Sequence, residues 1–449
     1  MVQISAAGQV FGLIWLILFF PIYSCAVLLF YFRRDVQPIK ARSPMLVLIN
    51  DVVLLAFVLV LCLQRIFVDD YPCVLNIWTQ YIGTLVLCNT YLLRCWHLYF
   101  KYYMTQEKLN ARPNIDTDST FFIKYRRFTG VRFFATGLAC IIVLLVIPCA
   151  VLTGVSHDIR TQSGDDCNKD TGDIILAVYA AIYVLCFLAF AVNLRQVVDG
   201  FMIKEELRYT GLVGVLAVVP WVIFNNVLKE INRDTFPFST LVLLIAISFA
   251  LGLSTFWPLY RSIYKPPVLE DLHVPDNIRT LSGLLSDPDG FTSFKLFLSK
   301  EFSVENILFW KEVEEFRLKK SKTPDPADLR GDAQNIYGKY IIRGAPFEVN
   351  LPSNIVADLQ SRLRDEFAGP GREVSASNVA LVSVNASKTE DGIGENTPTI
   401  FDAAQGNIFA LMESDSYQRY AASPEYAQLT QRYESRTRKK EVLLEMNVI

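Results

Sequence analysis

Histidine is scarce in this 449-residue chain. His97, His157 and His273 are the only three, and none sits in a His/Cys cluster with zinc-ligand spacing. A metal centre is therefore not expected, and no residue pattern calls for a cofactor. Excess charge is missing as well: the formal net charge is −2, so nothing global points to a nucleic-acid partner. Glycine-rich nucleotide loops and catalytic triads are not evident, which argues against an enzyme with catalytic residues of its own. The C-terminal half has no cysteine, since all nine lie between Cys25 and Cys186, and a thiol-free domain suits a reducing cytosol. No basic segment precedes the first apolar run, so that run reads as a retained span and not a signal peptide.

What the chain does have is apolar length. Hydrophobic residues make up 52% of it, and the excess is confined to the first 260 positions. Runs near 10–32, 44–63, 74–97, 131–153, 172–193, 210–230 and 238–260 each have about the ~20 residues that a helix needs to cross a bilayer. The spacing predicts a seven-helix transmembrane bundle over 1–260. The segments 33–43, 98–130 and 194–209 carry 13 Lys and Arg, against five in the alternate segments. The positive-inside rule then puts the N-terminus outside and everything after the seventh span in the cytosol. A multi-pass plasma-membrane protein in contact with lipid is the expected setting.

Ionisable and amide side chains inside spans are costly, which makes them functional candidates. Asp51 beside Asn50 is the clearest, followed by Asn89 and Thr90, Asn225 and Asn226, and Pro220, which should kink the sixth span. For the amides, plain interhelical hydrogen bonding is the simpler reading. Cys73, just before the third span, and Cys167, between the fourth and fifth, both fall on the oxidising side. This placement resembles the bridge of G-protein-coupled receptors, which implies a Cys73–Cys167 disulfide; two unpaired loop thiols are the alternative. The receptor likeness has limits. The third span ends in LLRCWHLYF, with Arg94 but no acidic-Arg-aromatic triplet, and WPLY at 257–260 lacks the usual preceding Asn.

A proline-bearing linker, 261–276, leads to a second region that is helical in pattern, so the fold class is all-α throughout. Phe291, Phe294, Leu298 and Phe302 approximate one helical face. Ser303 is placed to cap the next helix, with Glu305 in its first turn. Three blocks stand out: EFSVENILFW at 301–310, APFEVNL at 345–351, and FDAAQGNIFALMESDSYQRYAASPEY at 401–426. Their order and spacing resemble a regulator of G-protein signalling (RGS) domain over 277–435. The whole architecture is similar to the receptor-like RGS proteins of fungi.

That resemblance implies a nine-helix bundle which binds a Gα subunit in its GTP or transition-state form. Such a domain speeds GTP hydrolysis by favouring the transition-state arrangement of the Gα switch segments, without adding a catalytic residue. The family's Gα contacts carry over to Glu301, Phe302, Ser303, Glu305, Asn306, Asn350, Leu411, Asp415, Ser416 and Arg419. Phe302 stands where Tyr is common, and Pro352 stands where an acidic residue often follows. Plainer readings exist: Ser303 as a cap alone, Leu411 as core, Asp415 and Arg419 as a helix-surface pair. Asn350 has no evident packing reason to be in its loop. The stretch near 366–398 exceeds the family's usual connection by roughly 25–30 residues and reads as a disordered or regulatory insertion. The basic run from Arg436 reads as a solvated helix face, with contact to anionic lipid as the alternative.

Expected, then, is a GTPase activator whose seven spans sense an unidentified extracellular ligand. Two alternatives stay open: a receptor that activates G protein with built-in RGS feedback, and a membrane scaffold whose RGS-like domain does not stimulate GTPase.

Overall fold

Long apolar segments fold as helices because a helix satisfies its backbone N–H and C=O groups internally. The computed structural model describes residues 2–67, 70–110, 120–162, 170–228, 231–232, 236–264, 278–322, 326–367 and 399–446. Among these residues the regular elements are all helical and no strand forms. The chain divides into two units, one made of Met1–Met104 and Tyr125–Pro266, the other of Thr105–Lys124 and Pro267–Ile449. Most of the expected linker, the insertion from 368 and Cys167 lie outside the described residues.

In the first unit, α1 (Ala7–Phe32), α2 (Pro44–Ile66), α4 (Phe133–Val155), α5 (Val178–Gln196), α6 (Ile203–Asn225) and α7 (Phe238–Ile263) are long and apolar enough to span a membrane. Between α2 and α4 runs α3 (Cys73–Asn110), whose residues from Thr105 belong to the second unit and which has the length but not the composition. Asn76, Gln80, Asn89 and Thr90 dilute the apolar run expected there. By length and composition, six of the seven expected spans therefore stand. Helix α6 starts at Ile203, earlier than the expected 210, because Asp199 caps it: its carboxylate accepts the Ile203 N–H at 2.6 Å and the Lys204 N–H at 3.2 Å. The helix passes through Pro220 and widens into a π-turn over Ile223–Val227.

Many large apolar side chains of these helices face outward, among them Ile17, Leu185 and Val155. That pattern is compatible with membrane association. Inside, Tyr23, Leu54, Phe57, Leu61, Leu244 and Leu251 join α1, α2 and α7. Ile77, Tyr81, Leu85, Cys149 and Tyr183 join α3, α4 and α5. A Cβ on Gly83 would lie 2.9 Å from the Phe57 ring, so glycine there lets α3 approach α2 closely.

Several buried polar residues are paired across helices. The fully buried Asp51 accepts hydrogen bonds from Thr255 Oγ1 at 2.5 Å and Ser254 Oγ at 3.3 Å. Thr90 donates to Asn50 at 2.8 Å, and Asn89 donates to the Tyr183 hydroxyl at 2.5 Å. Of the expected amide bonding, the Asn89 part is thus present. Cys73 is disulfide-bonded, and the other seven described cysteines are free.

The sequence reading did not find Glu206. Its buried carboxylate holds Arg42 Nε at 2.9 Å and also bonds Arg94. Arg42 donates further to the Phe201 and Pro38 carbonyls, at 2.7 and 3.0 Å. Arg42 counts only as a loop charge in the sequence and Glu206 does not stand out, because both sit at the polar end of an apolar run, where sequence cannot tell water from a neighbouring helix.

In the second unit the numbered helices after the linker are α8 (Leu281–Ser286), α9 (Pro288–Lys300), α10 (Val304–Ser321), α11 (Pro326–Ile336), α12 (Ser353–Phe367), α13 (Asp402–Leu411) and α14 (Pro424–Met446). Beyond α13 the backbone stays right-handed helical through a π stretch, Met412–Tyr417, and a last turn, Gln418–Ala421. Counted as continuous rods, the described residues give seven helices, not the nine that the resemblance implies. The core is aromatic: Phe294, Phe309, Tyr340, Phe347, Phe401 and Tyr420 are almost wholly buried. Tyr417 and Tyr426 donate their hydroxyls to the carbonyls of Arg279 and Ile278, tying the start of the domain to its last helices. The chain expected as a basic tail is helical to Met446.

Replacing Glu206 by Ala leaves two buried guanidinium groups without their carboxylate. A cost of about 3–5 kcal/mol is expected, read as a lower unfolding midpoint of the detergent-solubilised protein. An unchanged midpoint would mean that water solvates the cluster and the carboxylate contributes little.

Candidate functional site

Helix α9 begins with Asp287, whose side chain accepts the Gly290 N–H at 2.7 Å, and with Pro288 in its first turn. It ends in a Schellman arrangement. The Phe302 N–H bonds the Ser299 carbonyl at 3.2 Å, and the Ser303 N–H bonds the Leu298 carbonyl at 3.0 Å. The left-handed position that this motif needs, usually glycine, is Phe302 at φ +56°. A bulky residue there costs of order 1–2 kcal/mol, and such strain gathers at functional sites.

The turn reverses the chain into α10 and corrects one expectation. The Ser303 hydroxyl makes no side-chain cap and instead reaches back to the Leu298 carbonyl, at 3.5 Å. Its own carbonyl accepts the Asn306 N–H at 3.3 Å. The tight reversal turns the hydroxyl toward the helix behind it. Asn306 is 8% exposed, so little of it is open to a partner.

The second block is stitched to a π-turn, Tyr337–Ile341, that extends α11. The Phe347 N–H donates to the Lys339 carbonyl at 3.0 Å, and the Val349 N–H donates to the Tyr340 carbonyl at 2.9 Å. Phe347 and Val349 are buried while Glu348 and Asn350 are exposed. Alternation of an extended chain thus presents Asn350 to solvent.

In the third block, Asp415 and Ser416 lie in the π stretch after α13, with Leu411 half-buried at its entry. Widened turns of this kind recur at functional sites because they re-aim side chains. Arg419 follows and gathers the cluster. Its Nε and Nη2 bond Glu301 at 2.6 and 2.8 Å, Nη1 and Nη2 bond Asp415, and Nη2 reaches Ser416 Oγ at 3.4 Å. The surface pair of Asp415 and Arg419 does exist, but it is half of a larger arrangement. The Glu301 side chain is 4% exposed. Burial pushes its carboxyl above the ordinary value, against the opposing hydrogen bonds from Arg419.

Glu305 has a partner that sequence reading missed. Lys108, 197 positions away, donates to its Oε2 at 3.0 Å. Lys108 belongs to the Thr105–Lys124 segment of the same unit. The structure therefore joins Glu301, Asp415, Ser416 and Arg419 in one cluster, places Glu305 on Lys108, and leaves Asn350 in solvent. Among the described residues no group of three or more His, Cys, Asp or Glu could hold a metal ion.

Residues 280–429 match the model of the "Regulator of G protein signaling domain". Among curated relatives, "Regulator of G-protein signaling 5" of Sus scrofa is 33% identical over 164 residues, which is 36% of this chain and 70% of the relative. "Regulator of G-protein signaling 10" of Rattus norvegicus is 33% identical over 144 residues, 32% of this chain and 60% of the relative. "Regulator of G-protein signaling 18" of Homo sapiens is 36% identical over 146 residues, 32% of this chain and 48% of the relative. The chain thus spans between about half and 70% of the length of these relatives.

Substituting Arg419 by Met removes the donors that satisfy a buried carboxylate. A loss of about 2–3 kcal/mol in stability is expected, by analogy with hydrogen bonds to charged groups. Adding Glu301→Gln, which removes the unpaired charge, should recover part of it. Thermal unfolding of the two variants checks the order, and equal midpoints would show that Glu301 is solvated without Arg419.

Proposed function

Because the chain belongs to the regulator of G-protein signalling family, we propose that its C-terminal domain binds Gα through Glu301–Asn306, Asn350 and Leu411–Arg419. By favouring the transition-state form of the Gα switch segments, it accelerates GTP hydrolysis and dampens signalling. Family members are GTPase activators of Gα and not enzymes in their own right. The observation that carries this reading is the Arg419 cluster. It draws the first and third sequence blocks onto one surface, with the strained Phe302 turn beside Glu301.

The geometry suits a positioning role. Asn350 has a side-chain carbonyl and amide, which can accept from and donate to a partner at once. Its neighbours Phe347 and Val349 hold the loop without using it. The Arg419 guanidinium is committed to Glu301, Asp415 and Ser416, so its role is to set the shape of the contact surface. Phe302 keeps an aromatic ring at the turn where the family commonly has Tyr.

The N-terminal unit acts as a multi-pass plasma-membrane domain in lipid, with α3 as the third of seven spans, the N-terminus outside and the RGS domain in the cytosol. The outward apolar faces of the six apolar helices support membrane residence, and the loop charge asymmetry supports the orientation. The architecture is of the receptor-like type described for fungi. Sensing of an extracellular ligand remains part of this reading, with the buried Asp51 site as its intramembrane candidate.

The test is single-turnover GTP hydrolysis on a panel of purified Gα subunits, with and without the full chain in lipid nanodiscs. Acceleration is expected, and Asn350→Ala should reduce it by about 10–100-fold, equivalent to ~1.4–2.8 kcal/mol of transition-state stabilisation. No acceleration of any Gα by folded protein would favour the scaffold reading.

A further inference from the structure

Lysine is almost never buried without a partner, yet Lys108 is only 8% exposed. Its ammonium sits 3.0 Å from Glu305 Oε2 and 5.7 Å from the centre of the Phe347 ring. Glu305 belongs to the proposed Gα surface, and Phe347 is the buried ring that backs the loop carrying Asn350. Lys108 belongs to neither block, 301–306 or 345–351. It comes from 105–124, a stretch whose charges place it on the same side of the membrane as the C-terminal domain.

The segment is itself held in place. Ile123 is fully buried, and its N–H donates to Glu107 Oε2 at 3.0 Å, which folds 121–124 back onto the end of α3. Thr105 is 3% exposed. The cation is therefore delivered by a helix end that 121–124 hold in place, and not by one loose side chain.

We propose that the end of α3, Thr105–Asn110, is an intramolecular occupant of the Gα-facing surface, with Lys108 covering Glu305, so that Gα must displace it to bind. This rests on the function proposed above and adds its regulation. A tethered occupant acts at an effective concentration of order mM, so a single buried charge-assisted contact competes with a soluble partner. The apparent Gα affinity is the intrinsic affinity multiplied by the fraction of domains whose segment is lifted. The Glu305 carboxylate accepts the hydrogen bond from Lys108, so the group on Gα that replaces Lys108 is a donor, an amide N–H or a basic side chain.

The test measures binding of Gα loaded with GDP and aluminium fluoride to the full chain in nanodiscs, alongside single-turnover hydrolysis. The proteins are wild type, Lys108→Gln, Lys108→Arg and Asn350→Ala. Lys108→Gln is expected to bind about 10-fold tighter, ~1.4 kcal/mol at 25 °C, and to accelerate hydrolysis at lower concentration. Lys108→Arg, which keeps a cation on Glu305, should stay within about twofold of wild type. If Lys108→Gln does not fold, Lys108→Met keeps the packing of the stem and takes its place.

Equal affinity of wild type and Lys108→Gln, with acceleration still weakened by Asn350→Ala, overturns the occlusion and leaves the Gα reading standing. Weaker binding by Lys108→Gln overturns it too, since the lysine would then help Gα and not hinder it. If no variant binds or accelerates, the proposed function falls and the occlusion falls with it.

Discussion

A guanidinium offers five N–H donors in one plane, and Arg419 directs them to Glu301, Asp415 and Ser416. Glu301 ends α9 and lies 118 positions from Arg419 in the chain. No local rule of helix formation would bring them together. Once that contact forms, the turn at Phe302 and Ser303 has a fixed place beside the π stretch that carries Asp415. A buried carboxylate without its donors would be expensive, because desolvation in a low-dielectric interior is not repaid. The same contact that shapes the candidate partner surface therefore also holds two helix ends in register.

Regular helix gives way at each block of that surface. Phe302 takes a left-handed conformation, Tyr337–Ile341 precedes the Asn350 loop, and Met412–Tyr417 carries Asp415 and Ser416. Each irregular stretch is backed by deeply buried neighbours, such as Leu298, Tyr340, Phe347 and Met412. Strain of this size persists only where surrounding packing over-determines the backbone. An ideal helix puts residues three apart on one face, so it could not bury Phe347 and leave Asn350 exposed at the rim of a helical domain.

The N-terminal unit meets the opposite difficulty, since its polar groups are enclosed by apolar helices. Asp51 takes hydroxyls from α7, and Glu206 takes two arginines from two other parts of the chain. Such partners lower the cost of burying charge, and they also fix which helices adjoin. The resulting contacts constrain helix packing more than the apolar surfaces do, because hydrocarbon packs against hydrocarbon in many registers.

Six membrane-length helices, an all-helical second domain and the three blocks of the candidate site were legible in the order of residues. Apolar length and block spacing are local properties that need no knowledge of neighbours. Three things were not legible. The third span was read as apolar, although Asn76, Gln80, Asn89 and Thr90 lower its hydropathy. Ser303 was read as a cap, and only the tight turn shows its hydroxyl pointing back to Leu298. Lys108 and Arg42 counted only among the loop charges, and Glu206 was not singled out. Sequence determined which segments are helical and which residues bear charge. Tertiary structure decided which charges are paired, because pairing across 197 or 164 positions depends on where helices end in space.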